Sequence, residues 1–124
     1  MANERMIWDS TARTDRRIDA ILAAMTLEEK VAQLGSVTPR QIGTIPEKEM
    51  LDDDGELVED VVEEYLGNGI GHLTQVASQG LLDPEDAAET INELQRYLVE
   101  ETRLGIPAIE HEECLTGYRG PGGT

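Results

Sequence analysis

The tetrapeptide 110–113, Glu-His-Glu-Glu, directly follows the apolar run 106–109. An ionised carboxylate accepts hydrogen bonds from neighbouring hydroxyls, so one interpretation is a polar site for a sugar. A second interpretation is a metal site built from His72, His111 and Glu113, because imidazole and carboxylate groups ligate metal ions. The third interpretation is the end of a strand whose acidic side chains are solvated. The residues alone leave all three open.

The alternation of side chains along a strand divides these residues between two faces. His111 and Glu113 share one face, and Glu110 and Glu112 share the other. Acidic groups on two faces cannot all be buried without partners, so at least one carboxylate must meet a ligand, an arginine or water. The adjacent Cys114 is interpreted as a small buried hydrophobic residue, since no recognisable histidine partner would make it a nucleophile.

The elements that must position these residues form a βαβ unit. We predict strands near 70–76 and 106–111, joined by a helix near 84–104. Asp83 is the expected helix cap, Pro84 occupies the first helical position, and a glycine lies just past the predicted end. Such a crossover requires parallel strands. Binding groups of parallel α/β folds lie at the carboxyl ends of the strands, which is where the tetrapeptide lies.

Shorter helices are predicted before this unit. Residues 14–25 carry one apolar helical face, and residues 26–34 begin with a capping box of Thr26 and Glu29. A further helix is predicted in 56–66, and residues 36–56 read as a loop with at most a short strand. The predicted apolar positions of the first two helices are Ile18, Ile21, Leu22, Met25, Leu27, Val31 and Leu34.

Two parallel strands do not form a stable sheet alone, because parallel sheets are covered on both faces and contain more strands. The pattern therefore predicts an α/β fold that is part of something larger. A (β/α)8 barrel needs about 250 residues, and this chain has 124. We divide the chain into a loose leader, 1–12, and an incomplete α/β domain, 13–124.

Composition limits the function classes. The net charge is −16, from 26 acidic and 10 basic residues, which disfavours nucleic acid and anionic membranes as partners but permits sugars and peptides. The single cysteine cannot form an intrachain disulfide. No run of about 20 apolar residues suggests a membrane span, and the first residues lack the apolar core of a signal peptide. A cytoplasmic location is expected.

Three blocks of the sequence resemble the N-terminal region of glycoside hydrolase family 3, which contains β-glucosidases and β-xylosidases. The blocks are RIDAILAAMTLEEKVAQLG, GIGHLTQV and INELQRYLVEETRLGIPAIEHEECLTGYRGPGGT. They occur in the family's order and spacing over residues 13–124. The resemblance implies that the chain is the N-terminal fragment of a (β/α)8 TIM barrel, with one βαβ unit preceded by helices.

The resemblance also implies a role for the acidic tetrapeptide. In the family, an acidic residue just after the second barrel strand binds hydroxyls of the sugar in the first subsite. Glu113 matches it by position, with His111 and Glu112 as further substrate-binding candidates. Many members continue with His-Gly, where this chain has Thr116 and Gly117.

The motifs of the family that carry the catalytic nucleophile and the general acid/base have no match in these 124 residues. We therefore expect a fragment of a retaining, exo-acting β-glycosidase that is inactive alone and that acts on terminal β-D-glucosyl or β-D-xylosyl residues. The alternative is a non-catalytic module that binds carbohydrate or a partner, or one subunit of a split enzyme. The expected partners are a small carbohydrate and the remainder of the enzyme; no cofactor and no metal ion are expected.

The charge of −16 predicts that folding depends on salt. Like charges repel over a Debye length of about 30 Å at 0.01 M salt, which shrinks to about 3 Å at 1 M. Folded content measured by circular dichroism is expected to rise with potassium chloride across this range. A flat response would contradict the prediction.

Overall fold

The computed structural model describes residues 7–40, 47–80 and 82–123. None of the helices in these three ranges is long and apolar enough to cross a membrane. The elements in chain order are α1 (Thr14–Ala24), α2 (Leu27–Ala32), β1 (Ser36–Val37), α3 (Glu59–Leu66), β2 (His72–Thr74), α4 (Val76–Gly80), α5 (Pro84–Glu100) and β3 (Ile109–His111).

The three strands form one parallel sheet in the order β1-β2-β3. The predicted parallel pairing of β2 and β3 is confirmed, with Leu73 opposite Glu110 and Thr74 opposite His111. The two-residue strand β1 pairs with the other side of β2. Because α3 lies between β1 and β2 in the chain, the described residues contain two consecutive βαβ units, where the sequence predicts one.

The long helix α5 begins as predicted and ends earlier. Asp83 caps it, since its Oδ1 accepts hydrogen bonds from the amides of Glu85 and Asp86 at 3.0 and 3.1 Å. The helix ends at Glu100, four residues before the predicted end. The Thr102 hydroxyl donates to the carbonyl oxygen of Leu98 at 2.5 Å. This side-chain bond competes with the backbone bond that would extend the helix.

The hydrophobic core lies on one face of the sheet. Val37 and Leu73 are opposite each other in the register, so they share this face. Both helices α3 and α5 pack against it, and aliphatic side chains fill the space. The buried members from the two helices are Val61, Val62, Leu66, Leu94 and Leu98.

The opposite face of the sheet is largely open within the described residues, although His72 and Thr74 on it are half-buried. Ser36, His72 and Ile109 lie on it by the register. Ser36 and His111 are exposed, and the side chain of Ile109 is exposed although it is apolar, with 63% of the residue surface accessible. All the described core packing therefore stabilises the sheet from one side.

A long-range ion pair joins the start of the fold to the end of α5. The predicted capping box at Thr26 and Glu29 is confirmed. The Glu29 carboxylate also accepts from Arg103, at 2.8 Å to Nε and 2.5 Å to Nη2. Arg103 Nη2 further donates to the carbonyl oxygen of Ala24 at 2.8 Å. One guanidinium thus holds both the end of α1 and the start of α2.

The apolar face predicted on the first two helices is only partly buried. Leu27, Val31 and Leu34 form a stripe on α2 and its C-terminal turn that is 71, 60 and 87% exposed, and Ile18 and Leu22 on α1 are about half exposed. We call these five residues the apolar stripe. The described part of the chain provides no element that covers it.

The C-terminal half of the predicted leader contacts α1. Ile7 is 2% exposed, and its carbonyl oxygen accepts from Arg17 Nε at 3.0 Å. A buried side chain and a hydrogen-bonded carbonyl hold this point against α1. Residues 1–6 of the predicted leader lie outside the described residues.

Replacing Glu29 is expected to destabilise the fold in a pH-dependent way. The hydrogen bond from Arg103 is the largest effect on the pKa of Glu29 and holds it below the ordinary 4.5, against the opposing effect of burial. A carboxyl whose pKa is lowered by folding stabilises the folded state above pH 4.5. This stabilisation is lost as the pH falls through the folded-state pKa. Glu29→Gln should therefore lower the free energy of unfolding at pH 7, by about 2 kcal/mol.

Urea unfolding at pH 7 and pH 3 measures this effect. The difference in the free energy of unfolding between Glu29→Gln and the parent chain should be smaller at pH 3 than at pH 7. The control is Glu28→Gln, since Glu28 is exposed on the same helical turn. This substitution should change the free energy of unfolding little at either pH. A Glu29→Gln difference of equal size at both pH values would contradict the prediction.

Candidate functional site

The carboxyl ends of β2 and β3 lie side by side and form the candidate site. Thr74 is opposite His111, and the amide of Gln75 donates to the carbonyl oxygen of His111 at 2.9 Å. Gln75 has a φ of +55°, the left-handed region that residues other than glycine seldom occupy. A strained backbone position thus follows β2 directly, beside the acidic tetrapeptide.

Glu112 is held by internal hydrogen bonds. Its Oε1 accepts from the amides of Ala77 and Ser78 at 2.9 and 3.3 Å, and its Oε2 accepts from the Ser78 hydroxyl at 2.5 Å. The first amides of a helix have no partner within the helix. The Glu112 carboxylate, which follows β3, therefore caps the short helix α4, which follows β2. Glu112 lies 34 and 35 residues from the amides that it caps. Neither this cap nor α4 was predicted from the sequence.

Glu113 differs from its neighbour in exposure and in partners. The residue is exposed, and among the described residues its carboxylate has no hydrogen-bond or ion-pair partner. A free carboxylate at the end of a parallel strand is available to accept hydrogen bonds from a ligand. Of the three predicted substrate-binding residues, Glu112 is engaged in internal hydrogen bonds, whereas Glu113 and His111 are exposed.

Glu110 lies on the core-facing side of the sheet, opposite Leu73. Burial raises the pKa of Glu110, the negative charge of Glu112 raises it further, and His111 acts in the opposite direction. The predicted alternation therefore holds within the strand: Glu110 faces the helices and His111 the uncovered side.

His72 and His111 approach each other on the uncovered face. Their ring centroids are 5.4 Å apart, and the rings are nearly perpendicular at 80°. Among the described residues, no group of three His, Cys, Asp or Glu side chains is placed to hold a metal ion. The described residues therefore give the metal interpretation of His72, His111 and Glu113 no support.

Two further residues complete the surroundings of the acidic tetrapeptide. Burial is the largest effect that raises the pKa of the Tyr118 hydroxyl. The charges of Glu112, Cys114 and Glu110 raise this pKa further. The Tyr118 ring closes over Gly120, where an added Cβ would lie 2.1 Å from the Tyr118 Oη. The sequence signal that could have identified Tyr118 is an aromatic residue shortly before a glycine-rich segment. Cys114 is exposed, so the prediction that it is a buried hydrophobic residue is wrong.

The arrangement can bind hydroxyl groups, and it offers no assigned pair for glycoside hydrolysis. Retaining hydrolysis needs two carboxyl groups about 5–5.5 Å apart across the scissile bond. Here Glu112 is engaged as a helix cap and Glu110 faces the core side. Glu113 is left as a single acceptor.

No protein-family model matches this chain. The chain is similar to a curated protein of Formosa agariphila named "Putative beta-xylosidase", with 37% identity over 111 residues. The match covers 89% of this chain and 14% of the relative. The chain is thus similar to a short part of a glycosidase-like protein and spans about a seventh of the length of the curated relative it matches.

Glu110→Gln is expected to stabilise the chain at neutral pH. A carboxyl whose folded-state pKa is raised carries no penalty below the unfolded value of 4.5 and destabilises the fold as the pH rises above it. Glutamine removes that penalty. The melting temperature of Glu110→Gln should exceed that of the parent chain at pH 7 and converge with it near pH 3.5. Glu113→Gln is the matched control at an exposed position, and an equal rise in that variant would argue against burial as the cause.

Proposed function

We propose that the chain is the N-terminal part of a retaining, exo-acting β-glycosidase of glycoside hydrolase family 3, acting on terminal β-D-glucosyl or β-D-xylosyl residues. The observation that carries the proposal is the 37% identity over 111 residues to the protein named "Putative beta-xylosidase". The matched span includes most of the chain, and the family's three blocks lie within residues 13–124. The xylosyl substrate class comes from the name of that relative.

The topology of the sheet supports a partial (β/α)8 barrel. The strands follow the chain order β1-β2-β3 and are all parallel. Helices α3 and α5 contribute to one core together with Val37 and Leu73, so they cover the same face. A doubly wound sheet reverses its strand order and carries helices on both faces. Winding in a single direction with helices outside is the pattern of a barrel.

Uncovered surfaces support the proposal that the chain is part of a larger fold. The sheet face with Ile109 and His111 is open, and the apolar stripe on α1 and α2 is exposed. Parallel sheets are normally covered on both faces, and exposed apolar surface of this kind marks an interaction site. We propose that the remainder of the glycosidase is the partner that covers them.

In this proposal Glu113 is the carboxylate that binds the sugar hydroxyls. It is exposed and lacks partners among the described residues. His111, on the uncovered face beside it, lines the same site. The nucleophile and the general acid/base are assigned to the remainder of the enzyme, so the 124-residue chain by itself is expected to hydrolyse no aryl glycoside.

The exposed surfaces also favour a second candidate function, a non-catalytic module that binds carbohydrate or a partner protein. The same apolar stripe and the same free Glu113 would serve such a module. The two functions differ in one outcome. A glycosidase part gains turnover when the rest of the fold is supplied, whereas a module binds and never turns over.

The experiment fuses the chain to the remaining length of the Formosa agariphila relative and measures hydrolysis of nitrophenyl β-xyloside and β-glucoside. The fusion should be active, and Glu113→Gln should lower kcat/KM by about tenfold to a hundredfold. Charge-assisted hydrogen bonds contribute about 1.5–3 kcal/mol each, and bonds to sugar hydroxyls can strengthen in the transition state. Glu113→Asp should retain part of the activity, because it keeps the charge.

The matched control is Glu101→Gln, an exposed acid at the C-terminal end of α5, which should behave like the unmodified fusion. Equal kcat/KM for Glu113→Gln and the unmodified fusion would contradict the assignment of Glu113. A folded but inactive fusion, together with xyloside binding by the 124-residue chain, would favour the binding module.

A further inference from the structure

We propose that Glu112 is a positioning residue that fixes the backbone of the Glu113 loop by tying it to the first turn of α4. Glu112 would thus act through its neighbour rather than by touching the sugar. The sugar-binding role of Glu113 rests on the proposed function, but the tie itself does not.

The Glu112 carboxylate is occupied by hydrogen bonds within the chain. Oε1 accepts from two amides, those of Ala77 and Ser78, and Oε2 accepts from the Ser78 hydroxyl at 2.5 Å. Three hydrogen bonds from one short segment hold both oxygens in a fixed orientation. A carboxylate used in this way has little capacity left for hydroxyls of a ligand.

Helix α4 depends on this carboxylate for its N-terminal cap. Helices usually begin after a residue whose own side chain caps the first amides. The residue before α4 is Gln75, which sits at a φ of +55°. Backbone conformations of this kind persist where the surroundings hold them in place. Glu112, the residue after β3, supplies the missing cap.

Two consecutive residues, His111 and Glu112, both bond to the short segment 75–78. The amide of Gln75 donates to the carbonyl oxygen of His111 at 2.9 Å, and the next residue, Glu112, bonds to Ala77 and Ser78. Residues 75–78 and 111–112 therefore form one connected unit. Glu113 is the first residue beyond it, so its backbone starts from a fixed point while its side chain remains free.

The test is nuclear magnetic resonance on the full 124-residue chain, with Glu112→Gln compared with Glu113→Gln. One readout is the amide hydrogen exchange of Ala77 and Ser78. The other is the 15N order parameter of the Glu113 amide, where about 0.85 indicates a rigid backbone and less than about 0.6 a flexible one. Glu112→Gln should speed exchange of both amides at least about tenfold and lower the order parameter into the flexible range. Glu113→Gln should change neither.

A second variant, Ser78→Ala, removes only the hydroxyl bond to Oε2. We expect it to change the amide exchange and the Glu113 order parameter in the same direction by a smaller amount. If Glu112→Gln does not fold, Ser78→Ala takes its place as the test of the proposal. Faster exchange of Ala77 and Ser78 with an unchanged order parameter at Glu113 would overturn the proposal, because Glu112 would then only cap α4. Unchanged exchange would also overturn it. Neither readout uses a sugar, so failure of the proposed function would leave this result intact.

Discussion

The requirement that a parallel sheet be covered on both faces is the constraint on which the rest of this structure depends. Helices α3 and α5 cover the face with Val37 and Leu73, and their aliphatic side chains form the core. The other face, with Ile109 and His111, is open in the described residues. Within the described residues the three-stranded sheet thus has two kinds of uncovered surface, the open face and the sheet edges.

The same geometry concentrates acidic residues where β2 and β3 end, and each carboxylate is accommodated by a different physical means. Glu110 faces the core side, and burial raises its pKa. Glu112 is stabilised by two amides and a hydroxyl of the α4 turn. Glu113 is solvated. Like charges in adjacent positions can coexist because their surroundings differ, and only the solvated one is free for a ligand.

Local signals predicted most of the fold, and contacts distant in sequence explain what they missed. Asp83 and Pro84 mark the start of α5, and the capping box marks the start of α2, because both depend on residues at most three positions apart. Nothing local indicates that Arg103 pairs with Glu29 across 74 positions.

The candidate site follows the same rule. The sequence identified the acidic tetrapeptide and its place at the end of a strand, and alternation separated Glu110 from His111. The residues alone could not show that Glu112 is engaged while Glu113 is free, because the difference comes from the amides of α4, which follows β2. The proposal of a partial barrel is tested most directly at the edge of β3 that has no neighbouring strand among the described residues. Ile109 and His111 bond to the β2 side, so the amide of Glu110 points away from β2. If the chain is part of a barrel, exchange of this amide should slow by about a hundredfold or more on fusion to the rest of the relative, because a further strand then pairs with it. An unchanged exchange rate in the folded fusion would contradict the account.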